Sequence, residues 1–298
     1  MTKIIELSGV TKDFGKGRGI FDVSMSLEPG GVYGFIGTNG SGKTTTIRSM
    51  MGFLKPDRGM VRIKGKEAWK DRTELKNYMS YVPGQIEFPR FRTGTQFLRY
   101  YAKYLDIEDF TYMDRLSSRL QLDPSANLRR MSKGMKQKTA IVAALMGDRE
   151  ILILDEPTTG LDPLMRDAFL KLIREEKARG KTIFMSSHIF EEIEEVCDRA
   201  AIIHKGRVIR TVDMDDIRNP ENKWFRITFN TSWDRADFVD RFRFDTVKIV
   251  GGRSLEVTLP TRDIIILLQH LKGYLICEFQ EEHTTLESYF KEAIRKGE

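Results

Sequence analysis

The sequence predicts an α/β fold with a parallel-sheet core and a helical insertion, followed by a small α+β unit, and three features of its 298 residues carry that expectation. Short runs of little polarity, Val32–Ile36 and residues 151–154, read as strands buried on both faces, the pattern of a sheet covered by helices. Helical periodicity fills much of the interval between them, punctuated by glycine and proline. Beyond Ile203 shorter strands and helices follow one another in a new rhythm, which marks a second unit. With 40% hydrophobic and 31% charged residues the chain is composed like an ordinary globular protein, so disordered and fibrous classes are excluded.

Taken in order, residues 4–10 form the first expected strand and residues 11–17 a flexible loop. Phe14 in that loop has two readings, a small loop hydrophobe or an aromatic plate for an adenine ring. In residues 21–27, Phe21, Val23, Met25 and Leu27 alternate with Asp22, Ser24 and Ser26, which predicts a half-buried strand. Val32–Ile36 then runs into Gly37-Thr38-Asn39-Gly40-Ser41-Gly42-Lys43-Thr44, which fits G-x-x-x-x-G-K-[ST] at every fixed position. Successive backbone amides surround an anion only where the chain adopts turns that side chains resist, and Gly37, Gly40 and Gly42 are expected to permit them. A helix starting near Lys43 adds its orphan amides and the positive end of its dipole. Lys43 supplies a full charge for β- and γ-phosphates, the Thr44 hydroxyl is placed for Mg²⁺, and the phosphate-binding set runs from Gly37 through Thr45. A glycine-rich turn that binds nothing is the alternative, and the complete spacing in a strand, loop and helix context argues against it.

The helix ends at Gly52, residues 55–59 turn, Val61 and Ile63 alternate in a short strand, and residues 78–82 form a buried strand stopped by Pro83-Gly84. Residues 85–148 carry no strand signal and are read as a helical insertion, with Phe97, Tyr100, Tyr101 and Tyr104 as a small core of its own. Ser132, a favoured N-cap residue, opens a helix to about Met146. Arg129, Arg130, Lys133, Lys136 and Lys138 gather near its positive end, an unfavourable placement that a docking anion would offset. Residues 151–154 end in Asp155-Glu156. Two carboxylates at the tip of an apolar strand, on the edge where the phosphate loop lies, suit a metal and a water, whereas in isolation they would be a solvated turn. A helix from Pro163 to about Arg179 and a strand at residues 182–185 lead to Ser186-Ser187-His188 on the same edge. In the second unit, strands at residues 224–229, 246–250, 254–259 and 275–279 and helices at 234–242, 261–271 and 285–295 give an order compatible with a ferredoxin-like arrangement, with no catalytic constellation.

The formal net charge of +6 raises a nucleic-acid or anionic-membrane partner, but acidic residues are interspersed with basic ones along most of the chain, as on a plain solvated surface. No apolar run approaches the roughly 20 residues that span a bilayer, and the first residues lack a basic stretch followed by an apolar one, so a cytosolic chain is expected. Cys197 and Cys277 are expected to be reduced core residues.

From Ile4 to about Val212 the sequence resembles the nucleotide-binding subunit of ABC transporters. Gly37 to Thr44 looks like Walker A, and Met131-Ser132-Lys133-Gly134-Met135-Lys136-Gln137 like a variant of the signature usually written LSGGQ. Residues 151–156 look like Walker B with its catalytic glutamate, Gly160-Leu161-Asp162 like the D-loop, and His188 like the switch histidine. Phe14 falls where the family places its adenine-stacking aromatic. Two departures stand out: the Q-loop glutamine aligns with Gly84, with Gln85 one residue later, and Lys133 and Met135 replace a glycine and a glutamine of the signature. Similar deviations occur in cassettes of ABC-2-type exporters.

The resemblance implies a P-loop NTPase of the ABC type over residues 1–212, with its helical subdomain at about 85–148 and an accessory domain at 213–298. It implies ATP and Mg²⁺ as ligands, with Asp155, Thr44 and Gln85 toward the metal. Glu156 would polarise the attacking water, His188 and Lys43 would meet the γ-phosphate, and Ser132, Gly134 and Asp162 would complete the site of a second cassette, taken first as another copy of this chain. A separate transmembrane permease would dock near residues 85–95, which places the chain on the inner face of the cell membrane, with no nucleic acid as partner. Competing classes are a soluble ABC ATPase acting on ribosomes or nucleic acid, which would carry paired cassettes or long coiled coils absent from this sequence, and a nucleotide sensor, against which an intact Glu156 argues. The ATPase of an importer is the alternative within transport.

Overall fold

In the computed structural model, which describes residues 3–242, 246–282 and 285–295, the chain falls into two compact units, Met1–Val212 with Ala293–Glu298 and Asp213–Glu292. The first unit begins with β1 (Ile5–Asp13) and β2 (Gly19–Leu27), which pair antiparallel. β1 runs three residues beyond the expected strand, so Phe14 follows it directly. The strict alternation read for residues 21–27 fails in part. The register slips between Val10 and Lys12, Asp22 takes a left-handed φ of 56°, and Ile20, Val23 and Leu27 are the buried set. A bulge of this kind resets which residues face inward, and no periodicity in one strand reveals it.

β3 (Val32–Ile36) leads to α1 (Lys43–Met50), then β4 (Arg58–Ile63), β5 (Lys66–Glu67), α2 (Arg72–Leu75) and β6 (Met79–Val82). The helical stretch comprises α3 (Gly94–Tyr104), α4 (Thr111–Arg119) and α5 (Lys133–Met146), after which come β7 (Ile151–Asp155), α6 (Pro163–Ala178), β8 (Thr182–Ser187), α7 (Phe190–Val196), β9 (Arg199–His204) and β10 (Arg207–Asp213). An antiparallel sheet has the order β2-β1-β4-β5, and a six-stranded sheet the order β10-β9-β3-β8-β7-β6. β3 pairs in parallel with both β8 and β9, and β7 in parallel with β6 and β8. Every residue of β3, β7 and β8 is buried, as their apolar runs require.

The sequence reading stopped this sheet at β8. β9 opens with Arg199-Ala200-Ala201 and β10 buries only Val212, so neither carries a strong strand signal. Its aromatic stripe is also not a core. α3 buries Gly94, Leu98 and Ala102, while Tyr100 and Tyr104 are 60% and 71% exposed; Tyr101 stacks between Phe97 and Tyr104, and Tyr100 tilts against Phe91.

Behind the sheet, α7 presses on β3 so closely that a Cβ at Gly34 would lie 2.4 Å from Ile193 Cγ2. Both sites are in the core, where overpacking costs about 1–3 kcal/mol. Gly34→Ala is therefore expected to lower the thermal midpoint by several degrees, and an unchanged midpoint would contradict this packing.

In the second unit α8 (Met214–Arg218) precedes β11 (Asn222–Phe229), α9 (Ser232–Arg241), β12 (Val247–Ile249), β13 (Ser254–Pro260), α10 (Ile264–Leu271), β14 (Ile276–Glu282) and all but the last turn of α11 (Leu286–Arg295). The strands form an antiparallel sheet in the order β12-β13-β11-β14 over a core that includes Phe225, Phe229, Phe238 and Leu267. A 3₁₀ turn occupies residues 261–263, where the helix had been expected to start. Cys197 is buried as expected, but Cys277 is exposed on β14. No helix among the described residues is long and apolar enough to cross a membrane.

Candidate functional site

β3 is buried to its last residue, and the chain leaves it through the glycine-rich loop straight into α1. Gly42 is the N-cap of α1, with φ 113° and no side-chain cap, so the first amides of the helix are left for a ligand. Gly40, at φ +78°, and Gly42 adopt the left-handed conformations that the sequence required of them. Gly37 does not. Its constraint is space, because a Cβ there would meet Ile203 O at 2.3 Å and Ser41 Oγ at 2.6 Å. The loop is closed by Ser41 N donating to Thr38 O at 3.1 Å and anchored by Gly206 N donating to Ser41 O at 2.8 Å. Lys43 is buried across it. Its Nζ donates to Gly37 O at 2.7 Å and Thr38 O at 3.2 Å and pairs with Glu156 Oε1 at 3.2 Å.

The two acids at the end of β7 face different surroundings. Asp155 is fully buried, with Oδ1 accepting from Ser186 Oγ at 2.8 Å. Burial raises its pKa, opposed by the hydroxyls of Ser186 and Thr44. Asp155 Oδ2 has no hydrogen-bond partner among the described residues. A buried carboxylate oxygen without a donor is costly unless a cation meets it, so the residues present fit Mg²⁺ beside Thr44. Described residues hold no cluster of three or more His, Cys, Asp or Glu side chains that could by itself hold a metal ion. Glu156 sits at φ +48°, rare for a residue with a side chain. Its amide donates to Ser186 O and Oγ, and its Oε2 lies 3.2 Å from His188 Nδ1 and 3.4 Å from Thr159 Oγ1.

A cleft of about 700 Å³ opens over these groups. It brings together Asn39, Gly40, Gly42, Lys43, Thr44 and Thr45 of the loop with Asp155, Glu156 and Gln85. Phe14 also lines it and is 49% exposed, a free aromatic face. Gly37, Thr38 and Ser41 shape the loop from behind. At the expected glutamine position, a Cβ on Gly84 would stand 3.2 Å from Asp155 Oδ2, and Gln85 reaches the cleft in its place.

Ser132, Gly134 and Asp162 do not line this cleft. Ser132 Oγ caps α5 by accepting from Met135 N at 3.2 Å, and Asp162 caps α6 by accepting from Met165 N at 2.9 Å. Gly134 backs onto the loop before α6, where a Cβ would be 2.6 Å from Gly160 O. Sequence reasoning missed Arg18, Arg48, Tyr81 and Lys205 of the cleft lining. Burial raises the Tyr81 pKa to about 12, keeping the phenol neutral. Lys205-Gly206, following the short apolar pair Ile202-Ile203, is a turn signal that could have been found as such.

A profile of the family described as "ABC transporter" matches residues 20–159. The bacitracin transport ATP-binding protein BcrA of Bacillus licheniformis is 35% identical over 230 residues, covering 75% of this chain and 74% of that protein. The Nod factor export ATP-binding protein I of Rhizobium leguminosarum bv. viciae is 34% identical over 224 residues, covering 69% of this chain and 68% of that protein. A solved structure titled "Structure of ATP binding subunit of ABC transporter" matches with a TM-score of 0.64 at 32% identity, covering 72% of this chain and 92% of the other.

Proposed function

Since the chain belongs to the ABC transporter family of ATP-binding subunits, ATPases coupled to transport, we propose that it powers an exporter by closing in pairs over ATP and driving a separate transmembrane permease. Export is supported by its likeness to the Nod factor export ATP-binding protein I, together with the resemblance of its motifs to those of ABC-2-type exporter cassettes. In this reading residues 1–212 are the nucleotide-binding domain, residues 85–148 its helical subdomain and residues 213–298 an accessory domain. The permease holds the chain at the inner face of the membrane, against the start of the helical subdomain.

One observation carries the pairing: the cleft holds Lys43, Glu156 and the phosphate loop, while Ser132 and Gly134 lie outside it. Each cleft is half a site, and the α5 N-terminus with its lysines supplies the other half to a second copy. ATP lies with its base on Phe14 and its phosphates in the glycine loop. Lys43 holds the terminal phosphates, Glu156 orients and polarises the attacking water, and His188 holds Glu156 and reaches the γ-phosphate. Asp155, Thr44 and Gln85 would hold Mg²⁺, which when bound neutralises charge on the terminal phosphates.

The test is ATP turnover per molecule against protein concentration, in the wild type and in Ser132→Glu. Turnover per molecule is expected to rise with concentration, and the variant to lose about tenfold or more because its carboxylate repels the partner's phosphate. Concentration-independent turnover that Ser132→Glu leaves intact would overturn the pairing.

A further inference from the structure

Between the loops that carry Glu156 and His188 lies a buried carboxylate that the reading above leaves without a role. Glu192 of α7 is 2% exposed. Its Oε2 accepts from Thr158 Oγ1 at 2.9 Å and from Ser187 Oγ at 2.8 Å. Thr158 stands two residues beyond Glu156, and Ser187 immediately precedes His188. Ser187 Oγ in turn accepts from Ile189 N at 3.0 Å, so this hydroxyl braces the chain on both sides of His188. The other oxygen, Oε1, has no hydrogen-bond partner among the described residues and faces Arg166 Nη1 at 3.9 Å. Glu192 does not line the nucleotide cleft.

Such a group is a poor stabilising device. Withdrawing a carboxylate from water is costly, and apolar replacements of buried ion pairs are often neutral or stabilising. What it does provide is geometry. A single oxygen shared by two hydroxyls sets the spacing of the loops that bear them, and the 3.2 Å contact between His188 Nδ1 and Glu156 Oε2 spans those same loops. On the reading of this chain as an ATPase, we propose that Glu192 is a positioning residue that holds the Glu156 loop and the His188 loop in register for hydrolysis. The role needs a shared acceptor and no charge. A glutamine carbonyl oxygen accepts two hydrogen bonds and can serve, whereas methionine fills the volume and cannot.

The experiment compares the full chain with Glu192→Gln and Glu192→Met for binding of a fluorescent ATP analogue, ATP turnover and thermal midpoint. Glu192→Gln is expected to turn over within about threefold of wild type. Glu192→Met is expected to lose about ten- to hundredfold in kcat, the scale of an ångström-sized misplacement, with analogue binding and thermal midpoint held. The inference is overturned if Glu192→Met turns over like wild type, if Glu192→Gln falls as far as Glu192→Met, or if binding and midpoint collapse together with kcat. Should Glu192→Met not fold, Thr158→Val and Ser187→Ala decide the matter. Two losses that share one acceptor combine less than multiplicatively, and fully multiplicative losses overturn the inference. Glu156→Gln separates the two levels. Undiminished hydrolysis in that variant removes the role of Glu156 and this inference together, whereas a dead Glu156→Gln beside a fully active Glu192→Met removes only the role of Glu192.

Discussion

Glu156→Gln is expected to keep ATP bound and paired cassettes closed while hydrolysis falls by about 10²–10⁴, the usual cost of removing a general base. The geometry argues for this split. Glu156 stands at the end of a fully buried strand with its amide held by Ser186 O and Oγ, so the side chain is exchanged without disturbing the loop. Its Oε1 engages Lys43 at 3.2 Å, and it therefore competes for the charge that the terminal phosphates need. An amide at that place relaxes the competition and removes a negative charge facing the γ-phosphate. ATP affinity should then hold or rise as turnover disappears. Single-turnover hydrolysis and binding of an ATP analogue, measured on the same preparation, decide it: near-normal turnover, or loss of binding in proportion to turnover, contradicts the role given to Glu156.

How far the site was legible follows from which of its features are local in sequence. Gly40, Gly42 and Lys43 act through the conformation and charge of one short loop, and spacing alone located them. The apolar runs of β3 and β7 announced strands buried on both faces, and Asp155 and Glu156 were found because they interrupt one of them. What escaped depends on distant neighbours. Gly37 was read as a conformational requirement, yet it is held to glycine by Ile203 O, which β9 brings up from 166 positions later in the chain, and β9 itself was not foreseen. Glu192 lies in Phe-Glu-Glu-Ile-Glu-Glu-Val, which reads as a solvated acidic face. Nothing in that run separates Glu192 from Glu191, Glu194 and Glu195. Only the hydroxyls of Thr158 and Ser187, delivered by two other strand ends, make it a buried acceptor. The aromatic stripe of α3 failed for the opposite reason, since periodicity reports which residues share a face and says nothing about whether that face is covered.

Lys43→Ala is expected to produce the larger loss in binding. The ammonium is buried, fixed by Gly37 O and Thr38 O, and aimed across the loop at the position its charge would share with the phosphates. Hydrogen bonds to charged groups are worth about 1.5–3 kcal/mol each, so losing contact with two terminal phosphates weakens ATP by at least about a hundredfold. The deletion also leaves Glu156 without its cation, so a carboxylate faces the γ-phosphate unopposed and adds to the loss. Lys43→Arg should not rescue, because a planar guanidinium has neither the compact charge nor the room at a buried, carbonyl-ringed site. AMP supplies the control. It has no β- or γ-phosphate, so its affinity should change by less than about threefold while that of ATP collapses and ADP falls between. Equal weakening of all three nucleotides would mean that the lysine supports the fold of the loop rather than the charge of its ligand. Unchanged ATP affinity would mean that the phosphates lie elsewhere in the cleft.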